Sequence, residues 1–242
     1  MNGEPASQVI RIATYNVHGC VGTDGVFCIP RIGEVIAGLD AQVVGLQEVD
    51  SSPQSEQRAD LEQLAEATGL TAVAGGIRAG ARGTYGNALL TNLPVLRSRT
   101  LDLSVHGREP RGALEVYVKA EDAIVRIVVA HLGLAPWERR EQSRRLVETL
   151  ASTPTDIEAT ILLGDVNEWF TWGRPLRWLH AALGRSAHIA TFPSILPMFA
   201  LDRIWVRPRA SLQRSWRVRN NMTRRASDHL PLRADIMLSP RL

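Results

Sequence analysis

Apolar residues along the chain gather into short runs separated by turn-forming clusters, and only a few stretches carry the three-to-four-residue spacing of a helix. Residues 9–17 predict a strand with Ile10, Ile12 and Tyr15 among its buried positions. Residues 43–49 are almost continuously apolar, the pattern of a strand covered on both faces. Further strands are predicted over 71–74, 87–92, 95–103, 113–119, Ala123–His131, 161–164, 202–206, 212–218 and 230–237. Helices are predicted over 29–39, Asp60–Thr68 and 136–150. The first opens with Pro30 and repeats Ile32, Val35, Ile36 and Leu39, the second stops at Gly69, and the third opens with Pro136. Many strands and few helices, with no repeat and no Ser/Gly/Pro linker, predict a layered α/β sandwich and not a regular βαβ alternation. The chain reads as one domain over 1–242, with 1–8 as a short flexible lead.

Composition narrows the class. With 45% hydrophobic and 22% charged residues among 242, the chain is ordinary for a globular protein and excludes disorder and low-complexity architecture. No segment approaches the roughly 18 uninterrupted apolar residues of a membrane helix; the longest candidate, 191–201, is broken by Pro193 and Pro197. The first eight residues lack an apolar core, which argues against a secretory signal. Cys20 and Cys28 are too few for a disulfide framework and are expected to be free thiols, so the cytoplasm is the expected compartment. The net charge of +3 is small, but residues 201–242 hold ten arginines against Asp202, Asp228 and Asp235, a distribution suited to framing an anionic substrate.

Five polar islands interrupt this pattern at the ends of apolar runs. They are Asn16 in Thr-Tyr-Asn-Val-His-Gly, Glu48 in Gly-Leu-Gln-Glu-Val-Asp, His131 in Val-Val-Ala-His-Leu-Gly, Asp165 and Asn167 in Gly-Asp-Val-Asn, and Asp228 and His229 in Ser-Asp-His-Leu-Pro-Leu. Any one of them alone is an ordinary turn or cap residue. Five together, each abutting a strand, place polar side chains where a sheet projects into a crevice. Period-two alternation sends Asp165 and Asn167 to one side, and Asn16 and His18 likewise. A lone Glu with Asn and Asp, and no Cys/His ligand cluster, suits a hard cation such as Mg²⁺ or Mn²⁺. The phosphate-binding P-loop and the Gly-x-Ser-x-Gly elbow are both absent. Carboxylates, amides and imidazoles around a divalent ion suit attack of water on phosphorus.

The order Tyr-Asn, Gln-Glu, His-Leu, Gly-Asp-x-Asn, Leu-Asp-Arg-Ile and Ser-Asp-His-x-Pro-Leu, running from residue 14 to 232, closely resembles the endonuclease/exonuclease/phosphatase superfamily. That superfamily includes deoxyribonuclease I, AP endonucleases, sphingomyelinases, inositol-polyphosphate 5-phosphatases and deadenylases. The resemblance implies a four-layered α/β sandwich of two packed, mainly antiparallel sheets flanked by helices, with the site at one end. It implies Glu48 as principal metal ligand for Mg²⁺ or Mn²⁺, with Asn16 beside it as ligand or phosphate partner and Asp228 assisting. Asp165 then positions the attacking water, Asn167 holds a phosphoryl oxygen, and His229 is the catalytic imidazole steered by Asp202. His131 stands where AP endonucleases carry tyrosine, which points away from abasic-site repair. Asn87 in Tyr-Gly-Asn-Ala-Leu-Leu matches a phosphate-contact position. The Arg-Glu-Pro-Arg-Gly stretch resembles short stand-alone bacterial members.

Two stretches bear on substrate. Trp169, Phe170, Trp172 and Trp178 follow the Asp165 segment, and they either cap the core or, if exposed, stack on bases or enter a lipid interface. In the loop 107–112, Arg108 and Arg111 either clamp a second phosphate or pair internally with Glu109 or Glu115. The expectation is therefore a metal-dependent phosphodiesterase acting on a phosphate ester, a lipid headgroup or small phosphodiester ahead of DNA or RNA, with peripheral membrane contact and no obligate protein partner. The alternative from another class is a catalytically silent phosphate-binding domain.

Overall fold

A computed structural model describes residues 8–51, 59–80, 83–152 and 156–238. The expected lead lies outside the described residues up to position 7, and Gln8 already pairs with Leu238. In chain order the elements are β1 (Gln8–Asn16), α1 (Ile29–Gly38), β2 (Val43–Asp50), α2 (Asp60–Thr68), β3 (Thr71–Gly80), β4 (Gly83–Thr91), β5 (Val95–Asp102) and β6 (Gly112–Ala120). They continue with β7 (Ala123–His131), α3 (Pro136–Ala151), β8 (Ile157–Asp165), α4 (Arg174–Leu183), β9 (Asp202–Arg207), β10 (Leu212–Arg217), α5 (Asn221–Ala226) and β11 (Leu232–Leu238).

The strands form two sheets, one of six strands in the order β10-β11-β1-β2-β4-β3 and one of five in the order β5-β6-β7-β8-β9. Each is antiparallel except for a single parallel pair, β1 with β2 in the first and β7 with β8 in the second. Alternation along each strand explains the layering. Ile10 and Ile12 of β1, Val125, Ile127 and Val129 of β7, and Ala234 and Ile236 of β11 fill the space between the sheets. Ala13 and Tyr15 turn outward under α1 and α2, joined by Ala226 of α5. Val128 and Leu162 turn outward under α3 and α4. The sheets approach closely at Gly45, where an added Cβ would lie 2.2 Å from Leu163 Cδ1, and that contact excludes any side chain.

Three of the predicted strands are longer than their apolar pattern. β3 runs on to Gly80 through a glycine-rich stretch held by pairing with β4, β4 itself begins at Gly83, and β8 begins at Ile157. Helices α4 and α5 were not predicted. α4 carried a readable signal, Pro175 at its start and Leu176, Leu179 and Leu183 buried at helical spacing. The six residues of α5 rest on a reciprocal Asn220–Thr223 cap instead of an apolar stripe.

Candidate active site

The two parallel pairs decide where chemistry can occur. Parallel neighbours end at the same edge, so Asn16 at the end of β1 lies opposite Gln47 of β2, and His131 at the end of β7 opposite Asp165 at the end of β8. β9 runs antiparallel to β8, which sets its first residue, Asp202, against Asp165. The β2–β4 register shifts between Leu46 and Val49, and within that irregularity Glu48 takes φ = 60°. Asn167, just past β8, takes φ = 49°. Positive φ at two non-glycine residues is backbone strain held by the surrounding packing, and it aims both side chains into the cleft.

Asp165 is the centre of the cluster. Its Oδ2 accepts from Asn16 Nδ2 at 3.1 Å and lies 3.6 Å from His131 Nε2 and 3.7 Å from His229 Nε2. Its Oδ1 accepts from the Asn167 backbone at 2.9 Å. Burial raises the Asp165 pKa above the ordinary carboxylate range. His229 Nδ1 lies 2.8 Å from Asp202 Oδ2, which also accepts from Thr191 Oγ1 at 2.6 Å. Burial disfavours the imidazolium, but Asp202 and Asp165 outweigh it and push His229 up to about 10. Phe192 packs on the same ring, centroids 4.8 Å apart.

Glu48 forms the outer half of the site. Asn16 Nδ2 donates to its Oε1 at 2.9 Å, Tyr85 OH donates to its Oε2 at 3.3 Å, and His18 Nδ1 stands 3.6 Å from that same Oε2 and 3.6 Å from Asp228 Oδ1. Burial works against ionisation, yet His18 and Asn16 hold the Glu48 carboxyl well below its usual range. The oxygen of the Asn16 amide accepts from His18 N at 3.0 Å, so Asn16 faces the site with its donor. Ser227 Oγ ties the Asn16 carbonyl to the Asp-His segment at 2.7 Å.

Arg111 Nη1 lies 3.0 Å from His131 Nδ1, and Asn167 Nδ2 lies 3.1 Å from its Nε2. The Asn167 amide is oriented by its bond to Leu132 O, 2.9 Å. A neutral imidazole has one N–H, and only Nε2 has carboxylate acceptors near it, Asp165 at 3.6 Å and Glu48 at 3.9 Å. A guanidinium can only donate, so Nδ1 accepts from Arg111 and Nε2 carries the hydrogen; the Asn167 amide beside Nε2 then bonds to Leu132 O and not to the ring. Burial, reinforced by Arg111, pushes His131 down to about 3 and keeps it neutral.

All twelve residues singled out from the sequence are described, and eight converge in this cleft: Asn16, Glu48, His131, Asp165, Asn167, Asp202, Asp228 and His229. The others lie around it. Trp169 sits edge-on against Phe192 and Phe199 at 5.8 and 4.7 Å, half-exposed. Arg108 lies over the Trp137 ring, 4.9 Å from its centroid. Arg111 turns inward to His131 and pairs with Glu109 at 3.0 Å, the internal alternative to a free clamp. Asn87 is buried, donating to Gly112 O at 2.7 Å with its Oδ1 unpartnered among the described residues. Cys20 and Cys28 are free, Cys20 buried. Tyr85 and Thr191 were not among the predicted residues: Tyr85 adjoined the Gly-Asn signal, while nothing in the run around Thr191 marks it.

Among the described residues, ligand atoms of Asp165, Asp202 and His229 lie within 4.8 Å of one another, enough to hold a metal ion. Asp202 and His229, however, spend their facing atoms on each other. Glu48 Oε2 and Asp228 Oδ1 each lie 3.6 Å from His18 Nδ1, and carboxylate oxygens suit a hard cation better than a soft one.

Two mixed sheets between helices, with carboxylates and imidazoles gathered at one edge, define a deoxyribonuclease I-like α/β sandwich. The chain belongs to the Endonuclease/Exonuclease/phosphatase family, whose sequence profile matches residues 13–229. Members of this family are hydrolases acting on phosphoester bonds. It is 28% identical to the uncharacterized protein YbhP of Escherichia coli (strain K12), over 94% of this chain and 96% of that one. Its fold is similar to that of the mannosyl-6-phosphatase Bt3783 of Bacteroides thetaiotaomicron VPI-5482 (TM-score 0.72, 17% identity, 95% of this chain and 99% of that one). It is equally similar to D. rerio TDP2 complexed with a single-strand DNA product (TM-score 0.72, 16% identity, 94% and 98%).

Proposed function

We propose that this chain is a divalent-metal-dependent phosphodiesterase that drives water onto phosphorus, acting on a lipid headgroup or other small phosphodiester ahead of nucleic acid. The observation that carries the reading is the Asp165 carboxylate with Asn16 and two imidazoles converging on one oxygen at 3.1, 3.6 and 3.7 Å. Asp165, made more basic by burial, takes the proton of the attacking water. His229, held as imidazolium by Asp202, donates from Nε2 to a phosphoryl oxygen that gathers charge as the hydroxyl adds. Neutral His131 donates from Nε2 to the same group, while Asn16, with its two amide hydrogens on Glu48 and Asp165, fixes both carboxylates. The leaving oxygen takes its proton from water in the open mouth. Glu48 and Asp228 would hold the cation, Mg²⁺ or Mn²⁺, which supplies charge neutralisation for the phosphoryl oxygens. Trp169 and Arg108 would contact the substrate beyond the phosphorus, and free thiols at Cys20 and Cys28 fit a cytoplasmic setting.

The test is hydrolysis of bis-p-nitrophenyl phosphate with Mg²⁺ or Mn²⁺ and then with EDTA. Metal-dependent turnover abolished by Asp165→Ala supports the reading. Turnover indifferent to EDTA rejects the metal, and silence across a broad phosphate panel favours a binding domain. A nuclease is the second reading, favoured by the ten arginines of residues 201–242. Plasmid nicking lost in Asp165→Ala, with phospholipid left intact, would reverse the order.

A further inference from the structure

Outside the catalytic cluster the molecule departs most from an ordinary surface at the rim of the cleft. Two loops there expose large apolar side chains: Phe170 (54%) and Trp172 (72%) between β8 and α4, and Ile195 (54%), Leu196 (64%) and Met198 (60%) before β9. Exposed apolar residues scattered singly need no explanation, but these form a group. Phe170 and Trp172 touch, ring centroids 5.1 Å apart. Trp169, between them and the second loop, packs on Phe192 and Phe199 at the base of that loop, and Phe192 rests on His229. The rim is thus one ring away from the catalytic imidazole.

Both loops are held at their bases while their apolar tips project. Glu168, buried and paired with Arg139, accepts from Phe170 N at 3.2 Å. In the second loop Phe192 O accepts from Met198 N and Phe199 N, and Ser194 bonds to the carbonyls of Asp228 and Arg224. Cations adjoin the second loop: Arg219 donates to Ile195 O and Arg217 to Ala190 O, and neither of them nor Arg224 has an acidic partner among the described residues.

We propose, building on the lipid-directed phosphodiesterase reading, that these two loops with Arg217, Arg219 and Arg224 form a docking surface for an anionic phospholipid bilayer. Projecting aromatic and aliphatic tips enter the headgroup–acyl boundary while the guanidinium groups meet phosphate oxygens, the combination that holds peripheral proteins at a negative leaflet. Single-stranded nucleic acid is the poorer occupant, because Ile195, Leu196 and Met198 offer no flat face for a base to stack on. A second copy of the chain is poorer too, since a two-fold contact would bring the unpaired arginines of both copies together. Docking here would present the cleft to a phosphodiester still embedded in the membrane.

The experiment is co-sedimentation of the purified chain with vesicles of phosphatidylglycerol and phosphatidylcholine, and with pure phosphatidylcholine. The combined variant Trp172→Ser, Leu196→Ser, Met198→Ser is compared with Arg217→Glu, Arg219→Glu. The wild type is expected to sediment with the anionic vesicles, less so at high salt. The apolar variant should lose about ten-fold or more in partitioning, while the charge variant should lose its preference for the anionic lipid. Turnover of soluble bis-p-nitrophenyl phosphate should stay at the wild-type level in both. Absence of vesicle binding by the wild type, or undiminished binding by the apolar variant, overturns the proposal. So does a single-strand oligonucleotide or a self-dimer that binds the wild type more strongly than vesicles do and is lost in the apolar variant. Partitioning is read without turnover, so a chain that docks but never hydrolyses refutes the catalytic reading alone.

Discussion

Arg111 shows how a residue's role depends on which way it turns. Its Nη1 at Nδ1 of His131 leaves the ring one tautomer, with the hydrogen on Nε2. Arg111→Leu is expected to lower turnover of bis-p-nitrophenyl phosphate by about ten- to hundred-fold. Nitrogen NMR of His131 should show the fixed tautomer lost with it, and unchanged shifts would refute the assignment. Asp202 acts similarly on His229 but through charge. With Asp202→Asn the burial of the imidazole remains and its main counter-charge goes, so the imidazolium is lost at lower pH than in the wild type. The alkaline limb of kcat/KM should therefore move to lower pH, with a fall of roughly 10²–10⁴ in rate. A limb that stays in place would show that His229 does not act protonated. Asn16, Glu48, Asp165 and His229 were legible from the sequence because a polar residue ending an apolar run is conspicuous there. Tyr85 and Thr191 were not, because each works only through a partner from another strand, Glu48 and Asp202.

Elements matter here mostly by how they end and how closely they pass. The shift in the β2–β4 ladder before Val49 gives Glu48 its direction, and no pattern of apolar residues announces it. Gly45, two residues before Gln47 on β2, is where that strand meets β8 of the other sheet. Gly45→Ala would set a Cβ against Leu163 Cδ1 and should cost about 1–3 kcal/mol of stability by overpacking. Combined with Leu163→Ala, which opens the space, the loss should be less than the sum of the two single losses by urea unfolding. Strict additivity would mean that the sheets adjust freely at this point. Predicted strands came out well where the apolar run was nearly continuous, as at Ala123–His131, and short where pairing alone extends them, as in β3.

Across the whole molecule, the site is also a place where folding leaves charge exposed to gain from a ligand. Glu48 and Asp228 each approach His18, and a cation that binds these carboxylates in the folded state alone stabilises that state. Mg²⁺ at 100 times its Kd should raise stability by about 2.7 kcal/mol in the wild type and by far less in Glu48→Gln, measured as the shift in thermal midpoint. An equal shift in both would move the cation away from Glu48. No described helix is long and apolar enough to cross a membrane.

The sequence by itself determined the layered α/β class, the family and most of the side chains that gather in the cleft, because burial writes apolar runs along the strands and polar residues stand out at their ends. Whether Trp169, Phe170 and Trp172 cap the core or line the rim, and whether Arg111 clamps a substrate or orients His131, was open from the sequence. Only the tertiary structure decided these, since each depends on distances between segments far apart in the chain. One parallel pair in each sheet brings those segments to a common edge, and the spacing along a single strand carries no trace of that pairing.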